Sequence, residues 1–247
     1  MVPYPQTSNL VGTPATLTDL HRPGSLRFMR AFMVALIVFV GGFAIMVLEI
    51  IGARFLAKDF GSSFYVWVSQ IGVVLTALAV GYFLGGWLAD RFQRFSLLAY
   101  LLLPAGALTM LVPVFAPRLI DAIVMRHPAD RAVPLLWQKL DPAIGSCLVF
   151  LLPCVMLAAL SPFMTRMMSR QLGHVGRTSG LVFAISTAGS IAGVFISGYV
   201  LIDHMNLSSI FRLTGALTIG LGLACWVADG WFRGRAPAKG TEQPCET

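Results

Sequence analysis

Among the residues of this chain, Glu49 is the one best placed to do chemistry. It stands in an apolar run that is otherwise uncharged from Ala31 to Ala53. A carboxylate at the centre of a spanning helix costs roughly 2.5–3.5 kcal/mol to insert, so such groups face a protein interior or a wet cavity. There it can carry a proton, or act as the acidic ligand of an amine or another cation. The structural alternative is a carboxylate locked to a neighbour, either Arg54 or polar groups of the fifth apolar run. Arg54 lies five residues on, off the ideal i,i+4 spacing, but it can approach by snorkelling inward. Ser186, Thr187 and Ser190 place three hydroxyls on that fifth run. They can line a substrate path. Hydroxyls inside a span also bond back to the i−4 carbonyl or to a neighbouring helix for roughly 0.6–2 kcal/mol, and packing is the favoured reading.

No other chemical constellation stands out. The four histidines, His21, His127, His174 and His204, show no metal-ligand spacing, and there is no Ser–His–Asp set, HExxH pair or phosphate loop. Cys147, Cys154, Cys225 and Cys245 form no C-x-x-C pair. Cys147 and Cys154 share a helix face, but thiols at i,i+7 on one helix are too far apart to bridge. No cofactor or metal is expected, and no enzyme acting on its own.

The elements that must position these residues are membrane helices. Hydrophobic residues make up 57% of the 247 and charged residues 12%, well below the roughly 25% charged of a soluble domain. The mean hydropathy is +0.78. Six apolar runs are long enough to span a bilayer, at about 31–55, 64–88, 95–117, 142–163, 179–201 and 207–228. The expected organisation is a tail over 1–27, a six-helix membrane domain over 28–229 and a second tail over 230–247. Pro104, Pro113 and Pro117 predict a kinked third span. The segment from Arg118 to Leu140 reads either as a loop holding a short interfacial amphipathic helix or as a plain connection.

Charge sets the orientation. One side holds Arg22, Arg27, Arg30, Arg91, Arg94, Arg166, Arg170, Arg177, Arg233, Arg235 and Lys239. The other holds Arg54, Lys58, Arg118, Arg126, Arg131, Lys139 and Arg212, with five aspartates among them. The positive-inside rule then puts both termini in the cytoplasm, with the first helix as an uncleaved anchor. The net charge of +7 lies in short clusters between apolar runs, which fits anionic lipid headgroups rather than nucleic acid.

A weak internal repeat is visible. The second run carries Gly72, Gly81, Gly85 and Gly86, and the fifth carries Gly180, Gly189, Gly193 and Gly198. Small residues at this spacing let helix backbones approach closely. In a 3+3 arrangement the two runs occupy matching positions, with the second triplet inverted.

The stretch Gly85-Gly86-Trp87-Leu88-Ala89-Asp90-Arg91-Phe92-Gln93-Arg94 resembles the cytoplasmic loop signature of the major facilitator superfamily, and it falls between spans two and three as in that family. Further segments are similar to the membrane domain of the membrane-bound spermidine-synthase-like proteins. They are Met46–Arg54, Phe60–Trp67, Gly81–Gly86, Leu160–Phe163 and Ser186–Gly193. The resemblance covers about residues 31–202. It implies an all-α, six-span half of the facilitator fold in a bacterial inner membrane. It also implies that Gly85, Asp90, Arg91 and Arg94 form the loop motif, which in full-length facilitators latches one half of the protein to the other.

In that family the membrane domain is commonly followed by a soluble, Rossmann-like aminopropyltransferase-type domain. After Trp231 this sequence offers no strand–Gly-rich loop–helix unit. The expectation is therefore a non-catalytic membrane subunit that docks or scaffolds a partner, as a homodimer or a hetero-complex. A soluble synthase-like chain acting on polyamines is one such partner. The alternative is a small proton- or cation-coupled transporter of an amine, working as a dimer.

Overall fold

The computed structural model describes residues 24–61, 63–92, 94, 96–127, 133–168 and 175–233. The chain divides into two compact units between Met33 and Val34, and the packing below belongs to the second. The helices are α1 (Gly24–Phe60), α2 (Phe64–Arg91), α3 (Ser96–Val124), α4 (Leu135–Ala158), α5 (Leu160–Met168) and α6 (Val175–Ile196). A π-helical turn over Ser197–Leu201 leads into α7 (Ile202–His204) and then α8 (Leu207–Arg233). Among the described residues there is no strand.

Six segments are long and apolar enough to cross a membrane: Ala31–Phe60, Phe64–Arg91, Ser96–Val124, Leu135–Met168, Gly176–His204 and Leu207–Val227. The protein is thus an all-α, multi-pass membrane-type bundle. The helices overrun the apolar runs read from sequence because hydropathy marks only the hydrocarbon core. That core is about 30 Å thick, while helical structure continues through the headgroup region. Most of the two expected tails, with His21, Arg22, Arg235, Lys239 and Cys245, lies outside the described residues. The exceptions are 24–27 and 230–233, which belong to the first and last helices. Asp130, Arg131, Arg170 and His174 also lie outside them.

No separate amphipathic helix forms in the described parts of 118–140. Residues 118–124 finish α3, and residues 135–140 open α4. Ile120 and Ile123 are buried because they continue the inward stripe of Val112 and Ala116 at helical spacing. Helix α3 runs unbroken through Pro104, Pro113 and Pro117.

Lipid tails are as apolar as leucine, so helix association in a membrane rests on close packing and interhelical hydrogen bonds. Glycines mark the close crossings. Gly42 of α1 lies against the backbone of Ser186, while Gly189 and Gly193 of α6 lie against Phe39 and Phe43 of α1. Gly81 and Gly85 of α2 pack on Val155, Ala158 and Ala159 at the α4–α5 junction. The α3–α8 crossing is reciprocal. A Cβ on Gly106 would stand 2.7 Å from the Gly215 carbonyl oxygen, and one on Gly215 would stand 2.6 Å from that of Gly106. The spans therefore pair as first with fifth, second with fourth, and third with sixth. Phe55, Phe150 and Phe211 close the core between α1, α4 and α8, with ring centroids 5.6 and 6.0 Å apart.

Candidate functional site in the membrane span

Glu49 follows directly on Leu48, which is fully buried, as is Ile51 two residues later. Its own side chain is half-buried. The stripe of α1 that meets α6 runs through Phe39, Gly42, Phe43 and Met46. The next step at this helical spacing is Glu49. Among the described residues, no hydrogen bond or ion pair reaches its carboxylate. The fully buried Cys154 of α4 lies within its electrostatic range. The result is a half-buried carboxylate in mid-span with no partner among the described residues.

Arg54 is not that partner. Its side chain is exposed and makes no ion pair with Glu49, because the five-residue offset turns it away from the Glu49 face. The hydroxyls of α6 are engaged elsewhere. Ser190 Oγ donates to the Gly42 carbonyl at 3.3 Å, and Ser186 Oγ is 3.2 Å from Ser161 Oγ. Gly42 precedes Glu49 by seven residues, which puts Ser190 about 10 Å away along the helix axis. Thr187 is exposed and its Oγ1 donates back to the Phe183 carbonyl at 2.9 Å. These hydroxyls join helices or their own backbone, and the structure does not bring them to Glu49.

Beside Glu49 lies a polar link that the sequence analysis did not single out. Gln70 of α2 and Ser146 of α4 are both completely buried. Ser146 Oγ donates to Gln70 Oε1 at 2.6 Å, and Gln70 Nε2 donates to the Leu48 carbonyl at 3.3 Å. Gly52 makes room for the amide, since a Cβ there would approach Gln70 Nε2 to 2.5 Å. The link ties α1, α2 and α4 together one residue from Glu49. The available signal was Gln70 itself, the one amide side chain in the second apolar run.

The loop motif makes an ion pair at the ends of two helices. Asp90 accepts a hydrogen bond from Arg166 Nε at 2.7 Å, joining the ends of α2 and α5 within one chain. Both side chains are more than half exposed, so the pair contributes only about 0–1 kcal/mol. Gly85 packs on Ala159, and Arg91 and Arg94 are exposed. The Asp90–Arg166 pair thus joins two helix ends of the same chain. Trp67, Trp87 and Trp226 are exposed near span ends, where the aromatic belt places such rings.

Two spans differ from the rest. The second and fifth have 22% and 17% of their apolar stretch buried, against 39–56% for the other four. Tyr82 and Phe183 meet edge-on at 6.3 Å and make α2 and α6 neighbours. Gly72 and Gly86 of α2 and Gly180 of α6 face open space, unlike the glycines at helix crossings. No protein-family model matches the chain, and no curated protein or solved structure is significantly similar to it.

Proposed function

We propose that this chain is a non-catalytic multi-pass membrane subunit that docks a partner chain within the bilayer, along the sparsely packed α2–α6 side. The observation that carries the reading is Glu49, half-buried in mid-span and without a partner among the described residues. Leaving a carboxylate against hydrocarbon is costly, so its accessible side calls for a polar group or a wet interface from outside the chain. The open Gly72, Gly86 and Gly180 support the same side, because small residues let another helix approach closely. If the motif resemblance to the membrane domain of spermidine-synthase-like proteins holds, a synthase-like chain is one candidate partner. A second copy of this chain is another.

The test is gentle extraction from native membranes followed by mass spectrometry of what stays bound. A stoichiometric partner, lost when Gly72 and Gly180 are both changed to Leu, is the expected result. A strictly monomeric particle, in mild detergent and in nanodiscs, would overturn the reading.

A transporter reading draws on the same carboxylate. An unpaired Glu49 with one accessible side is suited to bind and release a proton or an amine. Glu49→Gln separates the two readings. Loss of uptake with assembly intact favours transport, and loss of assembly favours docking.

A further inference from the structure

At the end of the bundle opposite Asp90 there is a second polar region, independent of the Glu49 reading. A cavity of about 260 Å³ opens between the end of α1, the start of α2, the end of α3 and the start of α4. Asp59, Tyr65, His127, Trp137, Gln138 and Asp141 supply its polar and aromatic walls. The floor is built around Asp141, whose side chain is 6% exposed. Its Oδ1 accepts from Arg126 at 2.6 Å and its Oδ2 accepts from His127 Nε2 at 2.7 Å. His127 in turn packs against Trp137, with centroids 5.8 Å apart. These contacts hold the segment after α3 onto α4, so the walls come from elements fastened together.

The charge on those walls is one-sided. The acidic and basic side chains lining the cavity are two carboxylates, one histidine and the Tyr65 phenol, with no lysine or arginine. Lys58 adjoins Asp59 in the chain, while Arg126 and Lys139 are engaged beyond the lining. Arg126 holds Asp141 and lies 4.4 Å from the Trp137 ring centre, and Lys139 lies 5.2 Å from that of Tyr65. Both rings already attract cations of the chain itself. The Asp59 carboxylate makes no ion pair among the described residues. It stands near Asp121 and Lys58, at the last turn of α1, where the helix dipole also favours positive charge. No group of three His, Cys, Asp or Glu among the described residues has a metal-binding arrangement. Rings with an unpaired carboxylate are instead the chemistry that recognises an ammonium group.

We infer that this cavity binds a small organic ammonium ion, its charge against Asp59 and its apolar part against Tyr65 and Trp137. The ammonium has two natural sources: a soluble amine, or the amine headgroup of a lipid at the membrane surface. The test uses the full chain in nanodiscs of phosphatidylglycerol, titrated calorimetrically with n-propylammonium chloride. Saturable binding is expected, about tenfold weaker in Asp59→Asn, as loss of one charge-assisted contact would give. Tyr65→Leu is expected to weaken binding too, whereas Asp90→Asn at the opposite end should leave it unchanged.

Repeating the titration with phosphatidylethanolamine in the nanodisc separates the sources. Weakened binding of the probe identifies the headgroup, and unchanged binding identifies a soluble amine. Absence of saturable binding would overturn the inference. So would equal binding of sodium propionate, or an Asp59→Asn protein, folded by circular dichroism, that binds as tightly as the parent.

Discussion

Asp141 and Glu49 are both carboxylates on spanning helices, and the chain treats them in opposite ways. Asp141 is the more deeply buried, and both of its oxygens are taken by Arg126 and His127. Glu49 is half-buried and has no partner among the described residues. A fully answered buried charge fastens elements together, and removing one member leaves the others uncompensated. An unanswered carboxylate fastens no elements together and carries an insertion cost. Gln70 falls on the Asp141 side of this divide, since its amide oxygen and amide nitrogen are both engaged.

Four substitutions would break or sharpen that contrast. Asp141→Ala should have the largest effect, lowering the unfolding free energy by about 3 kcal/mol, because it frees Arg126 and His127 together. Thermal unfolding in detergent is the measurement, and a shift no larger than that of an exposed site would place the fastening elsewhere. Gln70→Leu should cost less, about 1–2 kcal/mol, through the loss of two interhelical hydrogen bonds. The same unfolding assay reports it, with Ser146→Ala as the smaller companion change.

Glu49→Gln should leave the stability of the isolated chain unchanged or raise it by roughly 1 kcal/mol, since it removes a charge without removing a bond. Marked destabilisation would show that Glu49 is answered inside the chain after all, and would erase the contrast with Asp141. Asp90→Asn should matter least, within about 0.5 kcal/mol, because its pair with Arg166 is exposed. A double-mutant cycle with Arg166→Ala would measure the coupling directly.

The spans were legible because six apolar runs of bilayer length leave few alternatives, and Glu49 stood out as the one charge between Ala31 and Ala53. Much of the site was not legible. Gln70 and Ser146 are seventy-six residues apart, and nothing local in either marks it for the other. Asp141 had counted only as one of five outer aspartates, although it organises an end of the bundle. Packing is the favoured reading of the α6 serines from sequence, and the fold supplies the partners: Ser190 bonds Gly42 and Ser186 meets Ser161. Arg54 looked near enough to Glu49 along the chain, and the helical offset turns it outward.

Hydropathy, charge placement and glycine spacing determined the class of this protein from sequence alone, because a bilayer forces each crossing segment to satisfy its own backbone. That constraint acts locally, so it can be read one segment at a time. Which polar group meets which is decided by the packing of α1 on α6, α2 on α4 and α5, and α3 on α8. Those crossings set distances between residues far apart in the chain. They leave Glu49 unanswered while answering Asp141 and Gln70, because a hydrogen bond reaches only about 3 Å and its partners are brought within that reach by the fold.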